Sequence, residues 1–370
     1  MTHRPAWLSL PCLLLCGACG LLLEENTRFS AGAAETEEEE EEEDDDTETD
    51  PDLPPTDDEG IPKYEPPRPD WLEVYTLGNE ADANVHPDGP GLLLVGGGSP
   101  GDAAYQWQAD MIAGGDVVVL QSQGEPLLHE YLYNTIGGVD SVQTIIVPPG
   151  AASFEPWIAW TVAHAEAVLI AGSDPYPLFW KGTPIEAAIM VVWNRDGVVG
   201  GVESGLSLLG EFVYPRYGDH EVSSGEALAD PYDEDVMLER NYLALAPLED
   251  TLIEPEFANE DRMGRLLVFG ARVLQDRWSD TFVGLGIDDH TAMLIGPDGV
   301  GEVSGSGHAY VFRTTQRPAV CVPEDLLEFG PVMVARLSAG DTVSWPGGET
   351  SVATSQVTAT NGWIDPANPY

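Results

Sequence analysis

The residues best placed to do chemistry lie in Val198-Val199-Gly200-Gly201-Val202-Glu203-Ser204-Gly205-Leu206-Ser207-Leu208-Leu209. An apolar run meets two glycines, one residue is flanked by small neighbours, and an apolar-periodic segment follows. That order is the signature of a nucleophile elbow, Gly-x-Nuc-x-Gly, where a strand turns sharply into a helix and exposes one side chain. Gly201 and Gly205 fall where neighbouring backbone would crowd a Cβ. The apex residue is Glu203, and Ser204 stands one position late. The frame suits a hydrolase, but a carboxylate holds the nucleophile's place. A plain strand-to-helix turn gives the same letters, so the reading depends on the rest of the chain.

The elements that would position such an elbow are legible around it. Short apolar runs recur at Leu92–Val95, Val117–Leu120, Thr144–Val147, Ala167–Ala171 and Val198–Val202, with helix-length segments between them. Continuous β-branched runs spaced in this way indicate an α/β fold, a parallel sheet covered on both faces. The pattern predicts helices over Phe154–Ala165 and Glu260–Leu274, the second with Met263, Leu266, Leu267 and Val273 on one side. Beyond Gly284 the chain turns β-rich, with short strands expected at Ala292–Ile295, Ala309–Phe312 and Val332–Leu337. Sites in open α/β sheets gather at the carboxyl ends of strands. Three such ends are suggestive: Gly96-Gly97-Gly98, Gly172-Ser173-Asp174 and the elbow. The first lacks the lysine of a P-loop and the full dinucleotide spacing, so it reads as a tight turn beside the site.

Upstream of residue 70 the chain has another character. His3 and Arg4, an apolar stretch from Leu8 to Leu15 and then Gly17-Ala18-Cys19 describe an export signal over residues 1–19. The cysteine after Gly-Ala suggests lipid addition at Cys19, although Cys16 stands where leucine is usual. The expected location is therefore the bacterial cell envelope, with the chain held to the membrane by lipid. The apolar run is far short of the roughly 20 residues a span needs. Residues 20–69 contain an unbroken acidic run from Glu37 to Asp46 and then many prolines, a composition expected to stay extended as a tether. Residues 70–370 are long enough to bury a substantial core. The net charge of −49, with lysine only at positions 63 and 181, argues against binding to nucleic acid and suits either a high-salt environment or a cationic or peptide ligand. Of four cysteines only Cys321 lies outside the leader, so no internal disulfide is expected in the processed chain, and its apolar setting marks it as a core filler.

Several ordered segments together carry a resemblance. They are Ala167–Ala171 with Gly172-Ser173-Asp174, Phe179-Trp180-Lys181-Gly182-Thr183-Pro184, the elbow running into Leu209-Gly210-Glu211-Phe212-Val213-Tyr214, and Glu226-Ala227-Leu228-Ala229-Asp230-Pro231-Tyr232-Asp233. Asp261-Arg262-Met263-Gly264-Arg265-Leu266 and Gly286-Ile287-Asp288-Asp289-His290-Thr291-Ala292 complete the set. Over roughly Leu92 to Phe312 the chain resembles the cyanophycinase and dipeptidase E family of serine peptidases. The resemblance implies a class I glutamine amidotransferase-like, flavodoxin-like α/β/α sandwich of three layers, here with a β-rich C-terminal extension. It also implies a serine, a histidine and a carboxylate that cleave aspartyl dipeptides or cyanophycin, with no cofactor.

Carried over by position, the catalytic set changes. The family serine falls on Glu203. The family histidine, just before the arginine-bearing helix, falls on Glu256 within Glu254-Pro255-Glu256-Phe257. The acidic position is kept as Asp289. Gly172, Ser173, Asp174, Arg262 and Arg265 are the implied binding residues, with Pro175 in place of a glutamine and Glu260 in place of an arginine. A carboxylate cannot form the stable acyl-ester that a serine hydroxyl forms, and Glu256 replaces an imidazole suited to proton shuttling near neutrality. The expectation is a binding or structural module that is inactive as a serine peptidase. The alternative is a hydrolase that uses Ser204 as a displaced nucleophile or a metal bound by Glu203, Glu256 and Asp289. Three converging carboxylates must share protons, pair with Arg262 or Arg265, or bind a cation. His220 and His290 are read as ordinary loop residues.

Overall fold

Leu92, Leu93, Leu94 and Val95 are all fully buried, as a strand without polar alternation must be when both of its faces are covered. The computed structural model describes residue 56 and residues 61–172, 176–217, 220–243 and 245–370. The leader, Cys19, most of the acidic segment, Ser173 and Asp174 lie outside the described residues.

In the first half the elements run β1 (Val74–Gly78), β2 (Gly91–Val95), α1 (Asp102–Met111), β3 (Asp116–Gln121), β4 (Ser141–Ile146), α2 (Pro156–His164), β5 (Ala167–Gly172), α3 (Pro184–Asn194) and β6 (Val198–Glu203). The middle holds α4 (Ser204–Ser207), β7 (Phe212–Val213), α5 (Ser224–Ala229), β8 (Glu239–Arg240), β9 (Thr251–Glu254), α6 (Met263–Gln275) and β10 (Phe282–Ile287). The rest is β: β11 (Thr291–Ile295), β12 (Val300–Gly305), β13 (Ala309–Thr314), β14 (Phe329–Leu337), β15 (Thr342–Ser344), β16 (Glu349–Thr350), β17 (Thr354–Thr360) and β18 (Trp363–Asp365). Proline opens both α2 and α3, where its missing N–H costs nothing, and Ser223 with Glu226 closes a reciprocal cap on α5.

Among the described residues the strands form two sheets. The first is ordered β1-β4-β3-β5-β6-β2-β11-β12-β15-β16, and its β4, β3, β5, β6 and β2 are mutually parallel. All five apolar runs of the sequence thus lie side by side. The second sheet is ordered β18-β17-β14-β13-β10-β9-β7-β8 and is antiparallel apart from the β7–β9–β10 pairings. One face of the parallel strands packs on α1 through Leu93, Val95, Val119, Leu169 and Tyr105. Residues of the other face, such as Leu94, Leu120 and Ile170, share a core with α2, α3 and inward residues of the second sheet, including Leu285 and Val311. The far face of the second sheet is covered by α6, whose Leu266, Phe269 and Val273 meet Phe282 and Phe312.

The expected layers therefore hold, and the β-rich part is larger than an extension. Strands from both sides of α6 build a whole second sheet, while β11, β12, β15 and β16 lengthen the first. Two further differences are local. Helix α6 begins at Met263 rather than near Glu260, because Asp261 takes a positive φ of 50° and interrupts the helical path. Packing also reaches back into the stretch expected to be tether, since Ile61 is buried in the first core and Arg68 lies over the Trp157 ring.

Candidate functional site

Strand β6 lies between β5 and β2, with Val202 opposite both Ala171 and Val95, and Glu203 opposite Gly172. At Glu203 the backbone turns abruptly, with φ 56° and ψ −129°, and α4 starts at the next residue. This conformation costs a residue with a Cβ on the order of 1–3 kcal/mol. The flanking glycines show why the turn is so tight. A Cβ on Gly201 would lie 2.5 Å from Leu206 Cα, and one on Gly205 would lie 2.1 Å from the Ile170 carbonyl oxygen. The elbow read from the spacing is present, with Glu203 at its apex. The half-buried Glu203 carboxylate makes no hydrogen bond or ion pair with another described residue.

Two further carboxylates approach the apex across the turn after β2. The Glu256 N–H donates to the Gly96 carbonyl at 2.9 Å, and the His290 N–H donates to the Gly97 carbonyl at 2.8 Å. A Cβ on Gly97 would stand 2.3 Å from Asp289 Oδ1 and 3.1 Å from Glu256 Cγ, so this turn is kept bare by the acids around it. Burial raises the Glu256 carboxyl above the ordinary range; Arg262 opposes the rise, and Asp289, Glu203 and Glu260 add to it. Asp289 and Glu203 are therefore both within electrostatic reach of Glu256. Burial likewise raises the Tyr105 phenol, with Tyr131 and Glu203 adding to it, and its hydroxyl has no hydrogen-bond partner.

The partners of these groups restrict what they can do. Glu256 Oε2 accepts from Arg262 at 3.3 Å, and Asp289 Oδ2 accepts from Asn259 at 2.6 Å. Asp288, its sequence neighbour, is structural: its two oxygens accept the N–H groups of Ala258 and His308. Among the described residues no group of three His, Cys, Asp or Glu side chains is arranged to hold a metal ion. His290 rests against Gly98 with Nδ1 3.2 Å from the Ser99 carbonyl, and the exposed His220 pairs with Glu226.

Arg262 and Arg265 lie beside this cluster, but most of their bonds go elsewhere. Both are about 95% buried. Arg265 grips Glu254 through Nε at 3.2 Å and through NH2 at 2.5 Å, and reaches Glu221 at 2.5 Å. Arg262 donates to Glu221 at 2.9 Å and to the Pro255 carbonyl at 2.7 Å. Arg216 donates to the other Glu221 oxygen at 2.6 Å. Burial works to raise the Glu221 carboxyl, yet Arg265, Arg262 and Arg216 together hold it down at about 2. Arg262, which caps α6, and Arg265 within it therefore bind the protein's own carboxylates, and Glu221 and Glu254 are site residues the sequence did not reveal. Ser204 lines a cavity of about 30 Å³ between these groups and α4. Among the described residues no histidine lines that cleft. Gly172 sits beside Glu203 in the sheet, while Ser173 and Asp174 lie outside the described residues.

No family model matches the chain, and no curated protein matches it. The solved structures similar to the chain include the following two. One is a peptidase from an acI-B1 Actinobacterium, with TM-score 0.46 and 17% identity over 70% of this chain and 97% of that one. The other is a putative peptidase E protein from Listeria monocytogenes EGD-e, with TM-score 0.38 and 15% identity over 58% of this chain and 96% of that one.

Proposed function

We propose that this chain is an exported, lipid-anchored binding protein of the bacterial cell envelope. In this reading a carboxylate pocket stands where the peptidase family that the sequence resembles carries a serine nucleophile. The observation that carries the reading is the elbow itself. The strained apex is present, and the side chain it presents is a glutamate without a hydrogen-bond or ion-pair partner among the described residues. A carboxylate there cannot carry out serine acyl transfer, and Glu256 offers no imidazole to take a proton. Unneutralised Glu203, near Glu256 and Asp289, suits a ligand that brings a positive charge, such as a basic side chain of a peptide. Cys19 would carry the lipid.

One observation favours a second reading, in which Ser204 acts as a displaced nucleophile, because Ser204 lines the arginine cleft. Turnover assays separate the two. Wild type is expected to leave aspartyl dipeptides and cyanophycin uncleaved above background, whereas saturable cleavage lost in Ser204→Ala would establish the second reading. The anchoring is tested by the intact mass of the processed N-terminus. Lipid on Cys19 is expected, and an unmodified N-terminus at another residue would overturn it.

A further inference from the structure

A second polar cavity lies at the other end of the parallel strands from the elbow. It has a volume of about 70 Å³ and is bounded by the starts of β3 and β4, by α2 and by the chain on either side of β1. Each water takes roughly 10–15 Å³ of such space, so the cavity admits a small group and not a nucleotide.

Its walls have two chemistries. The first is aromatic. Trp157 and Trp160 of α2 both line the cavity, and Trp160 is held by stacking on His164 at 4.2 Å between ring centroids. The second is acidic, because Glu65, Glu80, Asp82 and Asp116 all border the space. Burial raises the Asp116 carboxyl above its usual range against hydrogen bonds from Ser141 and Ala83, and Asp140 and Asp82 raise it further. No arginine or lysine forms an ion pair with any of these four acids among the described residues.

Two wall residues also carry buried side-chain oxygens without a partner among the described residues. Thr161 lines the cavity at 8% exposure, and its buried hydroxyl has no partner. Gln143 also lines it, with its side-chain carbonyl buried and unpartnered. Both oxygens are closed off from water and costly to leave unpaired, and a rotation of either side chain toward a ligand carrying N–H groups would satisfy it. The chain supplies a sample of the fitting chemistry: the exposed Arg68 guanidinium sits 5.8 Å from the Trp157 ring centroid. Aromatic faces, surrounding carboxylates and unfilled acceptors together recognise a positive charge that carries N–H donors.

We propose that this cavity binds a compact organic cation, a guanidinium or a primary alkylammonium group, and that Arg68 covers part of its aromatic wall and competes with the ligand. The group can be a free small molecule or the side chain of a basic peptide. The site is separate from the elbow and does not depend on the function proposed for it.

The test is calorimetric titration of the full-length chain with methylguanidinium, with the uncharged N-methylurea as control, and with the peptide Gly-Arg-Gly. Methylguanidinium should bind saturably and N-methylurea should not. Asp82→Asn and Trp160→Ala, at exposed and half-buried positions, should each weaken binding by about tenfold with the fold intact by circular dichroism. Arg68→Ala should tighten it severalfold, and the loss caused by Asp82→Asn and Trp160→Ala should persist in a Glu203→Gln background, which takes any cation held at the elbow out of the comparison. Tighter binding of Gly-Arg-Gly than of methylguanidinium assigns the site to a peptide side chain, and weaker binding assigns it to a free cation. The proposal is overturned if neither wild type nor Arg68→Ala gives saturable heat with methylguanidinium. Equal binding of N-methylurea, or an isotherm indifferent to both Asp82→Asn and Trp160→Ala, would overturn it as well.

Discussion

Replacing Glu203 by glycine and, separately, by alanine tests the elbow through an inversion of the usual order of stability. In an ordinary strand, glycine is worse than alanine by roughly 0.5–1 kcal/mol, because it loses more backbone freedom on folding. At Glu203 the backbone sits at φ 56° and ψ −129°, the mirror image of an extended conformation, which glycine adopts freely and alanine does not. The strain on any residue with a Cβ there is on the order of 1–3 kcal/mol. Setting the glycine entropy cost against the strain relieved leaves Glu203→Gly more stable than Glu203→Ala by about 0.5–2 kcal/mol. Both variants remove the same charge, so the electrostatics of the pocket cancel in the comparison. The turn cannot relax to avoid the test, because Gly205 lies against the Ile170 carbonyl and Gly201 against Leu206. Urea unfolding of the two variants at one pH reads the difference directly. An alanine variant as stable as the glycine variant, or more so, would refute the strained elbow.

Three further outcomes follow from the same geometry. Because the arginines hold the Glu221 carboxyl down at about 2, its contribution is present above its unfolded value and disappears as pH falls toward that figure. The stability difference between wild type and Glu221→Gln, about 1–3 kcal/mol at neutral pH after allowing for the carboxylate's partial exposure, should shrink between about pH 4.5 and 2; a pH-independent difference would contradict it. Gly205→Ala forces a Cβ to 2.1 Å from backbone and should cost more than about 3 kcal/mol or prevent folding, read by urea unfolding, whereas a loss below 1 kcal/mol would mean the elbow is loose. Cys321 is buried and its thiol is pushed up to about 12, so peptide mapping after iodoacetamide treatment should find it unlabelled in native protein and labelled in urea.

The five parallel strands could be read from the chain because each is covered on both faces, so that burial writes an unbroken apolar run such as Leu92–Val95. The second sheet was largely hidden because its joining strands are short. Strand β7 is two residues long and meets β9 at Phe212 and Leu252, across a separation in sequence that no local pattern encodes. Strand β1 is an antiparallel edge strand with four residues of intermediate burial, too weak a signal to stand out. The elbow was legible because its glycines are fixed by sterics, and sterics act on identity and spacing. Arg262 and Arg265 were expected for another reason, the resemblance of the Asp261–Leu266 segment to the family pattern. Their partners Glu221 and Glu254 were not, since one more acid among 64 carries no contrast. The Trp157 cavity was invisible for a third reason: its walls come from segments spread between Glu65 and Ala165 and exist only once the sheet has formed.

The absence of an activated serine is tested most directly by exposing the native full-length chain to a fluorophosphonate and measuring its intact mass. A serine made nucleophilic by a neighbouring base would displace fluoride and keep the phosphonyl group. With Glu203 at the apex and no histidine lining the Ser204 cleft, an unchanged mass is expected. A single stoichiometric adduct that is absent in Ser204→Ala would contradict the binding-protein reading and show that the nucleophile had moved by one residue.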